Sequence, residues 1–305
     1  MHNKIIKIGT RESQLAVWQA ETVKGLLKNN GIDAELVYIK SEGDTDLQTP
    51  LYEIGVQGIF TKALDIALLK GDIDIAVHSM KDVPTAMAKG LVQAAVLPRA
   101  SYKDILVPRT DASFLDDVNV VQIIATSSIR RKAQWLNRYP TATLENLRGN
   151  VNTRLRKVAE SNWHGAIFAA AGLERIGLRP DNAVELDWML PAPAQGAIVI
   201  ACRADDEYAL TCCQPLNDEH TAICTAVERD FLRALMGGCS TPISGLARIE
   251  GSEVVFDGNL LSLDGTKKIT VNGKSPIGMH TNMGTLAAKQ IIANGGQNIL
   301  AEIRK

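Results

Sequence analysis

The sequence lacks the long apolar run that a signal peptide or a membrane-spanning helix requires. The N-terminal stretch MHNKIIKIGTRESQ is too polar for a signal peptide, so we expect a cytoplasmic protein that does not bind membranes. A large excess of charge is also missing, because the net charge of the 305 residues is −1 at pH 7. Such a protein is not expected to bind nucleic acid through bulk electrostatic attraction.

Cysteine is scarce and follows no disulfide or metal-binding pattern. The five cysteines are an odd number, and cytoplasmic thiols stay reduced, so we expect no disulfide framework. Cys212 and Cys213 are adjacent rather than spaced as CxxC, with only His220 nearby, so we interpret them as structural rather than metal-binding. Cys239 stands behind two glycines, and as a residue it fits either a small buried side chain or an attachment point.

The first 200 residues alternate between strand-like and helix-like patterns, which is typical of α/β proteins with mostly parallel strands. The pattern restarts after Pro98 and predicts a second α/β lobe. The predicted strands cover 4–9, 34–39, 73–77, 121–125, 165–171 and 197–202, and the predicted helices begin near 14, cover 61–70 up to Gly71, begin at 129 and cover 150–160.

After about residue 215 the pattern changes to that of a small α+β domain. Ile223, Val227, Phe231 and Leu235 recur every four residues, as on one face of a helix. Strands are predicted at 243–250, 253–262, 267–273 and 297–302, with a helix near 284–294. The predicted domains are 1–98 with 197–215, 103–192, and 218–305, with crossings near 98–103 and 190–196.

Three polar segments follow predicted strands: Thr10–Ser13, His78–Asp82 and Thr126–Arg131. Ligands of α/β sheets bind at the carboxyl ends of strands, where the next helix presents unpaired N–H groups. Hydroxyls there favour an anion, and an arginine fork pairs with carboxylate or phosphate. Ser13 and Ser128 also fit ordinary helix N-caps, but three such segments together favour an anionic ligand.

Basic residues concentrate between residues 121 and 160, where eight lysines and arginines face two acids, a local charge of +6. The ligand is therefore expected to be a multiply charged anion, and carboxylates or phosphates would both serve. No GxxxxGK[ST] or GxGxxG motif is present, which argues against a nucleotide. Asp82 is either paired with a neighbouring base or handles a cation or proton. His78 is interpreted as a satisfied core histidine.

Four motifs resemble those of the porphobilinogen deaminase family, whose enzymes are also called hydroxymethylbilane synthases. HSMKDVP at 78–84, ATSSIRR at 125–131, LRGNVNTRL at 147–155 and GGC at 237–239 come in the family's order. The resemblance covers essentially the whole chain. It implies two α/β lobes similar to periplasmic binding proteins and a small α+β C-terminal domain that carries the cofactor cysteine.

The resemblance also implies a transferase of tetrapyrrole, porphyrin and heme biosynthesis. Such an enzyme joins four porphobilinogen molecules head to tail into hydroxymethylbilane and releases ammonia each time. The chain grows on a dipyrromethane cofactor, which a thioether would attach to Cys239. Asp82 matches the catalytic acid, which would hydrogen-bond pyrrole N–H groups, assist the loss of ammonia and stabilise a positively charged intermediate.

Each porphobilinogen carries an acetate and a propionate, so this resemblance accounts for the concentration of arginine. By the same resemblance, the residues that bind the cofactor and the substrate are Arg11, Ser13, Ser79, Lys81, Thr126, Ser127, Ser128, Arg130, Arg131, Arg148, Gly149, Arg154 and Gln195.

The segment 43–60 matches the family's mobile lid but departs from its usual ending, GGKGLF. Here the ending is GVQGIF, so that Gln57 replaces a lysine, and Glu53 stands where a basic residue often occurs. We therefore hypothesise that Phe60 and Lys62 supply the lid contacts that remain.

Two alternatives belong to other functional classes. A cytosolic two-lobed protein that binds a small polycarboxylate without catalysis would share the lobes and the arginines, but it would not need Asp82 or Cys239. The effector-sensing half of a regulator is disfavoured because no helix-turn-helix segment precedes the lobes. We expect a monomeric enzyme without a metal ion.

Overall fold

The computed structural model describes residues 4–40, 61–236 and 241–303. Four residues singled out above, Glu53, Gln57, Phe60 and Cys239, lie outside the described residues. The described chain divides into two compact units. The first unit comprises 4–40, 61–100 and 196–222, and the second unit comprises 101–195, 223–236 and 241–303.

The strands and helices below are those formed by the described residues. The strands are β1 (Ile6–Thr10), β2 (Ala34–Tyr38), β3 (Ile75–Ser79), β4 (Leu91–Val96), β5 (Asp104–Pro108), β6 (Ile123–Ala125), β7 (Thr143–Glu145), β8 (Gly165–Ala169), β9 (Val184–Glu185), β10 (Ile198–Arg203), β11 (Ile243–Glu250), β12 (Glu253–Leu261) and β13 (Lys268–Pro276). The helices are α1 (Gln14–Asn29), α2 (Lys62–Lys70), α3 (Ile129–Arg138), α4 (Val151–Glu160), α5 (Ala170–Glu174), α6 (Glu207–Cys213), α7 (Glu219–Ala234), α8 (Met283–Ile291) and α9 (Gln297–Ile303).

The predicted α/β class is confirmed. The first unit contains a sheet of order β2-β1-β3-β10-β4, and the second unit contains one of order β7-β6-β8-β5-β9. In each of these two sheets the first three strands of the stated order are parallel to one another, and the last two pairings are antiparallel. The second unit also holds the antiparallel sheet β11-β12-β13 of the α+β region.

The expectation of mostly parallel strands is confirmed, because four strands of each five-stranded sheet run in one direction and only β10 or β5 runs in the opposite one. A parallel connection needs a long crossover, usually through a helix. Strand β10 follows the irregular segment 190–197, and β5 follows 97–103, so both join their sheets without a crossover helix. They therefore run antiparallel to β3 and β8, respectively.

The first sheet buries both of its faces because adjacent strand residues point to opposite sides. Ile75 of β3 packs in a cluster with Val23 and Leu27 of α1, whereas Ala76 packs with Leu68 of α2. Helix α2 ends at Gly71, whose φ of +80° lies in the left-handed region that glycine adopts freely. The predicted helix end is thereby confirmed.

The second five-stranded sheet is likewise covered on both faces. Trp135 and Tyr139, at the end of α3, pack with Ile124 and Ile167 on one side. Val158 of α4 belongs to the cluster on the other side. Apolar residues on both faces are typical of a sheet that lies between helices.

Helix α7 packs on the antiparallel sheet as its spacing predicted. Cys224, Val227, Phe231 and Leu235 are buried in one cluster with residues of β11 and β12. The rings of Phe231 and Phe256 meet edge to face with centroids 5.0 Å apart. A Cβ on Gly258 would lie 2.9 Å from the Phe231 ring, so a residue without a side chain is needed there.

The predicted last strand at 297–302 was wrong, because these residues form helix α9. Ile299 and Leu300 are buried, and Ile303 packs against the same cluster. Short apolar runs fit a strand or a buried helix equally well, and burial on one helical face decides here. Gly295, with a φ of +99°, separates α9 from the preceding helix.

Within the second unit, hydrogen bonds join the five-stranded sheet region to the antiparallel sheet region. The Gln134 amide donates to the Ser244 hydroxyl at 3.1 Å, and the Asn137 amide donates to the Gly265 carbonyl at 2.8 Å. The division of the chain into three domains stays a prediction. No helix among residues 4–40, 61–236 and 241–303 has both the length and the apolar character to cross a membrane.

Candidate active site

The first polar group lies where β1 and β3 end. Ser13 caps α1, since its hydroxyl accepts a hydrogen bond from the Ala16 N–H at 3.4 Å. Strand β3 continues into a 3₁₀ turn at Met80–Asp82. The Met80 side chain is buried and its N–H donates to the Ala197 carbonyl. This anchor leaves Lys81 partly exposed and Asp82 exposed.

A small depression in the first unit brings three of the predicted site residues together. It is lined by Arg11, Ser79 and Asp82, together with Ala16, Gln19, Thr61, Val77 and His78. Ser13 and Lys81 lie on the same loops but do not line it. The depression therefore places one carboxylate beside a guanidinium and several uncharged polar groups.

His78 is buried as predicted. The prediction that its polar atoms all have hydrogen-bond partners was wrong at Nε2. Its side chain lines the depression, and Nε2 is buried without a hydrogen-bond partner among the described residues. Burial and the charge of Arg11 lower the pKa of His78 to about 4. The imidazole is therefore neutral at pH 7 and can donate or accept one hydrogen bond at Nε2.

The second polar group lies between β6 and α3, and its hydroxyls support local structure. The Ser127 hydroxyl accepts from the Leu147 N–H at 3.0 Å and donates to the carbonyl of the same residue. Ser128 caps α3 by accepting from the Arg131 N–H at 3.4 Å. Thr126 accepts from the Ser128 N–H at 3.2 Å. These contacts fix the loop that presents the two arginines of α3.

Arg130, Arg131 and Gln195 all meet one acid, Asp104, which the sequence analysis missed. Arg131 donates to Oδ1 of Asp104 from Nε at 3.0 Å and from Nη2 at 2.7 Å. The Gln195 amide donates to the same oxygen at 3.0 Å. Nη1 of Arg130 lies 2.8 Å from Oδ2. The four side chains form one buried cluster, which we call the Asp104 cluster.

Asp104 is fully buried and ionised. Burial acts to raise its pKa, but the charges of Arg130 and Arg131 outweigh this effect and hold the pKa well below its usual range. The sequence contained one signal for this residue. Asp104 heads the strand DILVP, all of which is buried, and an acid in such a strand needs a cationic partner.

Three further predicted residues gather at the start of α4. Arg148 is buried, and Gly149 has a φ of +112°. Nε of Arg154 donates to the Gly149 carbonyl at 2.7 Å. Asn150 caps the helix by accepting from the Thr153 N–H at 2.9 Å. The hydrogen bond from Arg154 to the Gly149 carbonyl thus ties the first turns of α4 to the left-handed residue that precedes the helix.

The four cysteines that the structure describes are buried free thiols: Cys202, Cys212, Cys213 and Cys224. Burial raises the pKa of the Cys202 thiol to about 11 and that of the Cys213 thiol to about 12. Thiols with raised pKa values are poor nucleophiles at neutral pH. Within the described ranges, no group of three or more His, Cys, Asp or Glu side chains is arranged to hold a metal ion.

Two family models match the chain. The model described as "Porphobilinogen deaminase, dipyromethane cofactor binding domain" matches residues 6–211, and "Porphobilinogen deaminase, C-terminal domain" matches residues 222–293. The chain belongs to the porphobilinogen deaminase family. The resemblance drawn from the four motifs is thereby confirmed.

A curated relative supports the same assignment. The porphobilinogen deaminase of Desulforamulus reducens is 39% identical over 303 residues, which cover 98% of each chain. The prediction of an enzyme of this family with a dipyrromethane cofactor is confirmed. The alternative of a non-catalytic binding protein is not supported. The roles of individual residues stay predictions.

Two solved structures to which the chain is similar are a nutrient binding protein and a VFT2 domain. A nutrient binding protein from Burkholderia cenocepacia bound to methionine has a TM-score of 0.43 at 15% identity, covering 71% of this chain and 93% of the other. The BvgS VFT2 domain of Bordetella pertussis has a TM-score of 0.42 at 13% identity, covering 69% and 85%.

The residues of the second unit fit a porphobilinogen deaminase cofactor that carries carboxylates. The Asp104 cluster sets two guanidinium groups against one carboxylate, so a positive charge is left over. In the first unit, the unpartnered Nε2 of His78 adds a hydrogen-bonding group for a polar ligand. Both features suit a ligand of several acids and N–H groups.

Proposed function

We propose that the protein condenses four porphobilinogen molecules head to tail into hydroxymethylbilane and releases one ammonia for each molecule added. The observation that carries this proposal is the depression in which the exposed Asp82 lies with Arg11, Ser79 and a neutral His78. An acid there would repel an anionic ligand, but it suits a reaction that builds positive charge on the reacting atoms.

Carboxylate recognition falls to the basic and hydroxyl groups. In the first unit, Arg11 and Ser79 would bind an acetate or propionate of the substrate, with Ser13 and Lys81 on the same loops. Arginine suits this task because its planar fork pairs with a carboxylate through two parallel hydrogen bonds. In the second unit we assign the binding of the cofactor and the substrate, through their carboxylates or their rings, to Thr126, Ser127, Ser128, Arg130, Arg131, Arg148, Gly149, Arg154 and Gln195.

Asp82 would act on the reacting part of the substrate. Its carboxylate would accept a hydrogen bond from the pyrrole N–H and stabilise positive charge as the aminomethyl C–N bond breaks. It would also assist the departure of ammonia by handling a proton. The buried Met80 fixes the turn, so Asp82 is presented on a rigid element.

The dipyrromethane cofactor would be attached through a thioether to Cys239, and the same basic residues would hold its carboxylates. When bound, it supplies the pyrrole carbon to which the first substrate is joined. The burial of the other four cysteines supports this choice, because none of them is placed to react with a bulky pyrrole.

We assign Lys62 and Phe60 to the remaining lid contacts. Lys62 is exposed at the first residue of α2, directly after the buried Thr61. A Lys62→Ala variant with unchanged KM and kcat would remove this assignment. We further propose that the enzyme is a cytoplasmic monomer.

The test is the conversion of porphobilinogen by the purified protein, with ammonia and linear tetrapyrrole both quantified. Asp82→Asn should lower kcat by a factor of about 100 or more, as expected for a lost acid–base group. Asp72→Asn is the matched control, because Asp72 is an exposed acid that precedes β3 whereas Asp82 follows it. A wild-type protein that binds porphobilinogen but releases no ammonia would refute the proposal.

A further inference from the structure

We infer that Asp104 is a positioning residue for ligand carboxylates: it holds Arg130, Arg131 and Gln195 in place and leaves their group one positive charge in excess. The inference rests on the proposed function, in which these three residues bind carboxylates. Asp104 itself would not touch the ligand, because its side chain is fully buried behind them.

The carboxylate of Asp104 holds Arg131 and Gln195 by hydrogen bonds to one oxygen and Arg130 by an ion pair with the other. Oδ1 accepts from Nε and Nη2 of Arg131 and from the amide of Gln195, and Oδ2 lies 2.8 Å from Nη1 of Arg130. The paired contacts to Arg131 define the plane of its guanidinium. Three side chains from distant parts of the sequence therefore share one anchor.

The anchor itself is rigid. Asp104 begins β5, which pairs with β8 on one side and with β9 on the other. The Asp104 carbonyl accepts from the Leu186 N–H at 2.9 Å. A side chain on a central strand holds its position more closely than one on a loop.

The two arginines are not engaged to the same extent. Arg131 uses Nε, Nη1 and Nη2, since Nη1 also donates to the Ile167 carbonyl at 3.0 Å. Arg130 directs only Nη1 at its partners, Asp104 and the Leu190 carbonyl. Its Nε and Nη2 donate to no residue within the described part of the chain. The Asp104 cluster thus keeps N–H groups of Arg130 available for a ligand.

The charge of the cluster is not balanced. Two guanidinium groups face one carboxylate, and the two arginine side chains are only 7% and 9% exposed. Burial and the neighbouring Arg131 lower the pKa of Arg130, although Asp104 acts in the opposite direction. A buried excess charge is costly until a counter-ion arrives. A carboxylate of the pyrrole ligand is such a counter-ion.

The experiment compares Asp104→Asn, Asp104→Glu and wild type by intact mass, thermal unfolding and porphobilinogen kinetics. Asparagine removes the charge and sets an amide N–H against a guanidinium. Glutamate keeps the charge but moves the carboxylate by one methylene. If position matters, both variants should raise KM by about tenfold or lower the cofactor-bearing fraction as much. If charge alone matters, glutamate should behave as wild type, which would overturn the inference.

Asp74→Asn is the matched control for lost stability. Asp74 is also a buried acid with two cationic partners, Lys4 at 2.7 Å and Arg203 at 3.6 Å, but it stands before β3 rather than at its polar end. The Asp74→Asn variant should have a lower unfolding temperature, while its cofactor content and its KM stay within twofold of wild type. Equal losses in Asp74→Asn and the Asp104 variants would overturn the inference.

Two further outcomes separate this inference from the proposed function. If Asp104→Asn does not fold, the KM and cofactor content of Asp104→Glu alone test the inference. An inactive wild-type protein would refute the proposed function, whereas an active wild type with unaffected Asp104 variants would refute only the role of Asp104.

Discussion

The side-chain amide of Gln19 donates a hydrogen bond of 2.9 Å to the hydroxyl of Ser79. Gln19 is buried in the middle of α1, and Ser79 is the last residue of β3. The bond ties the helix that follows Arg11 to the strand that precedes Asp82. Gln19 was not predicted as a site residue, although it positions one that was.

The Gln19–Ser79 bond gives the first prediction. Gln19→Leu keeps the buried volume but leaves the Ser79 hydroxyl without its donor. Loss of one uncharged hydrogen bond typically costs about 1 kcal/mol. Because Ser79 is assigned to substrate binding, a loss of that size in transition-state binding should lower kcat/KM about fivefold. Thr22→Val on the same helix is the control, because among the described residues the Thr22 hydroxyl bonds only to the Trp18 carbonyl. Equal kinetics for Gln19→Leu and wild type would contradict the prediction.

The second prediction concerns Glu228, which is fully buried in α7. Its carboxylate accepts from the Ala194 N–H at 2.6 Å and from the Ala247 N–H at 2.7 Å. Ala194 has a φ of +61°, which is strained for a residue with a side chain. Glu228→Gln should lower the free energy of unfolding by about 1–3 kcal/mol, because an amide nitrogen replaces one acceptor.

A second substitution checks this explanation of Glu228. Ala194→Gly should recover part of the lost stability in the Glu228→Gln background, because glycine adopts positive φ without strain. Glu219→Gln, an exposed change on the same helix, should have little effect. Denaturant unfolding measures all four proteins, and no recovery with Ala194→Gly would argue against backbone strain.

The third prediction is a pH dependence of stability set by His78. Its pKa is about 4 in the folded protein and about 6.5 in an unfolded chain. Between these values the unfolded chain binds a proton that the folded protein does not. The free energy of unfolding should therefore fall as pH drops from about 6.5 to 4, by about 3 kcal/mol in all.

A variant without the imidazole isolates this effect. His78→Gln should remove that part of the slope, whereas His220→Gln, an exposed change, should retain it. Urea unfolding at pH 4.5, 5.5 and 7 provides the comparison. An unchanged slope in His78→Gln would show that other groups control the acid response.

The fourth prediction separates two properties of Gly149, namely its positive φ and the lack of space for a Cβ beside Thr153. Its φ is +112°, and an added Cβ would lie 2.8 Å from Cγ2 of Thr153. Gly149→Ala should lower the free energy of unfolding by more than the backbone strain of a positive φ accounts for, because the added Cβ also meets Thr153. It should also raise KM, because Arg154 bonds to the Gly149 carbonyl. Gly177 is the control, because it has a φ of +66° but open space around its Cβ position. Equal losses of stability in Gly149→Ala and Gly177→Ala would show that the contact with Thr153 contributes nothing.

The sequence predicted the regular elements better than their pairing. Gly71 marked the end of α2, and the four-residue spacing of Val227 and Phe231 marked α7, because these signals are local. The pattern did indicate where the chain crosses between the units, near 98–103 and 190–196, but no local pattern states that β5 and β10 then run antiparallel to their neighbours. The apolar run at 297–302 was ambiguous because it is too short to show a period.

The candidate site shows the same limit. Motifs identified Arg130, Arg131 and Gln195, but not the acid that they share. Asp104 stands more than 20 residues from each arginine and about 90 from Gln195, so their meeting is a property of the tertiary fold. Gln19 escaped notice for the same reason, since its partner Ser79 is 60 residues away.

The most direct test of the central claim is the intact mass of the purified protein under reducing conditions, beside that of Cys239→Ser. A porphobilinogen deaminase that uses Cys239 should carry an excess mass equal to two linked pyrrole units, and the variant should lack it. A wild-type protein without the excess mass, even after incubation with porphobilinogen, would contradict the account.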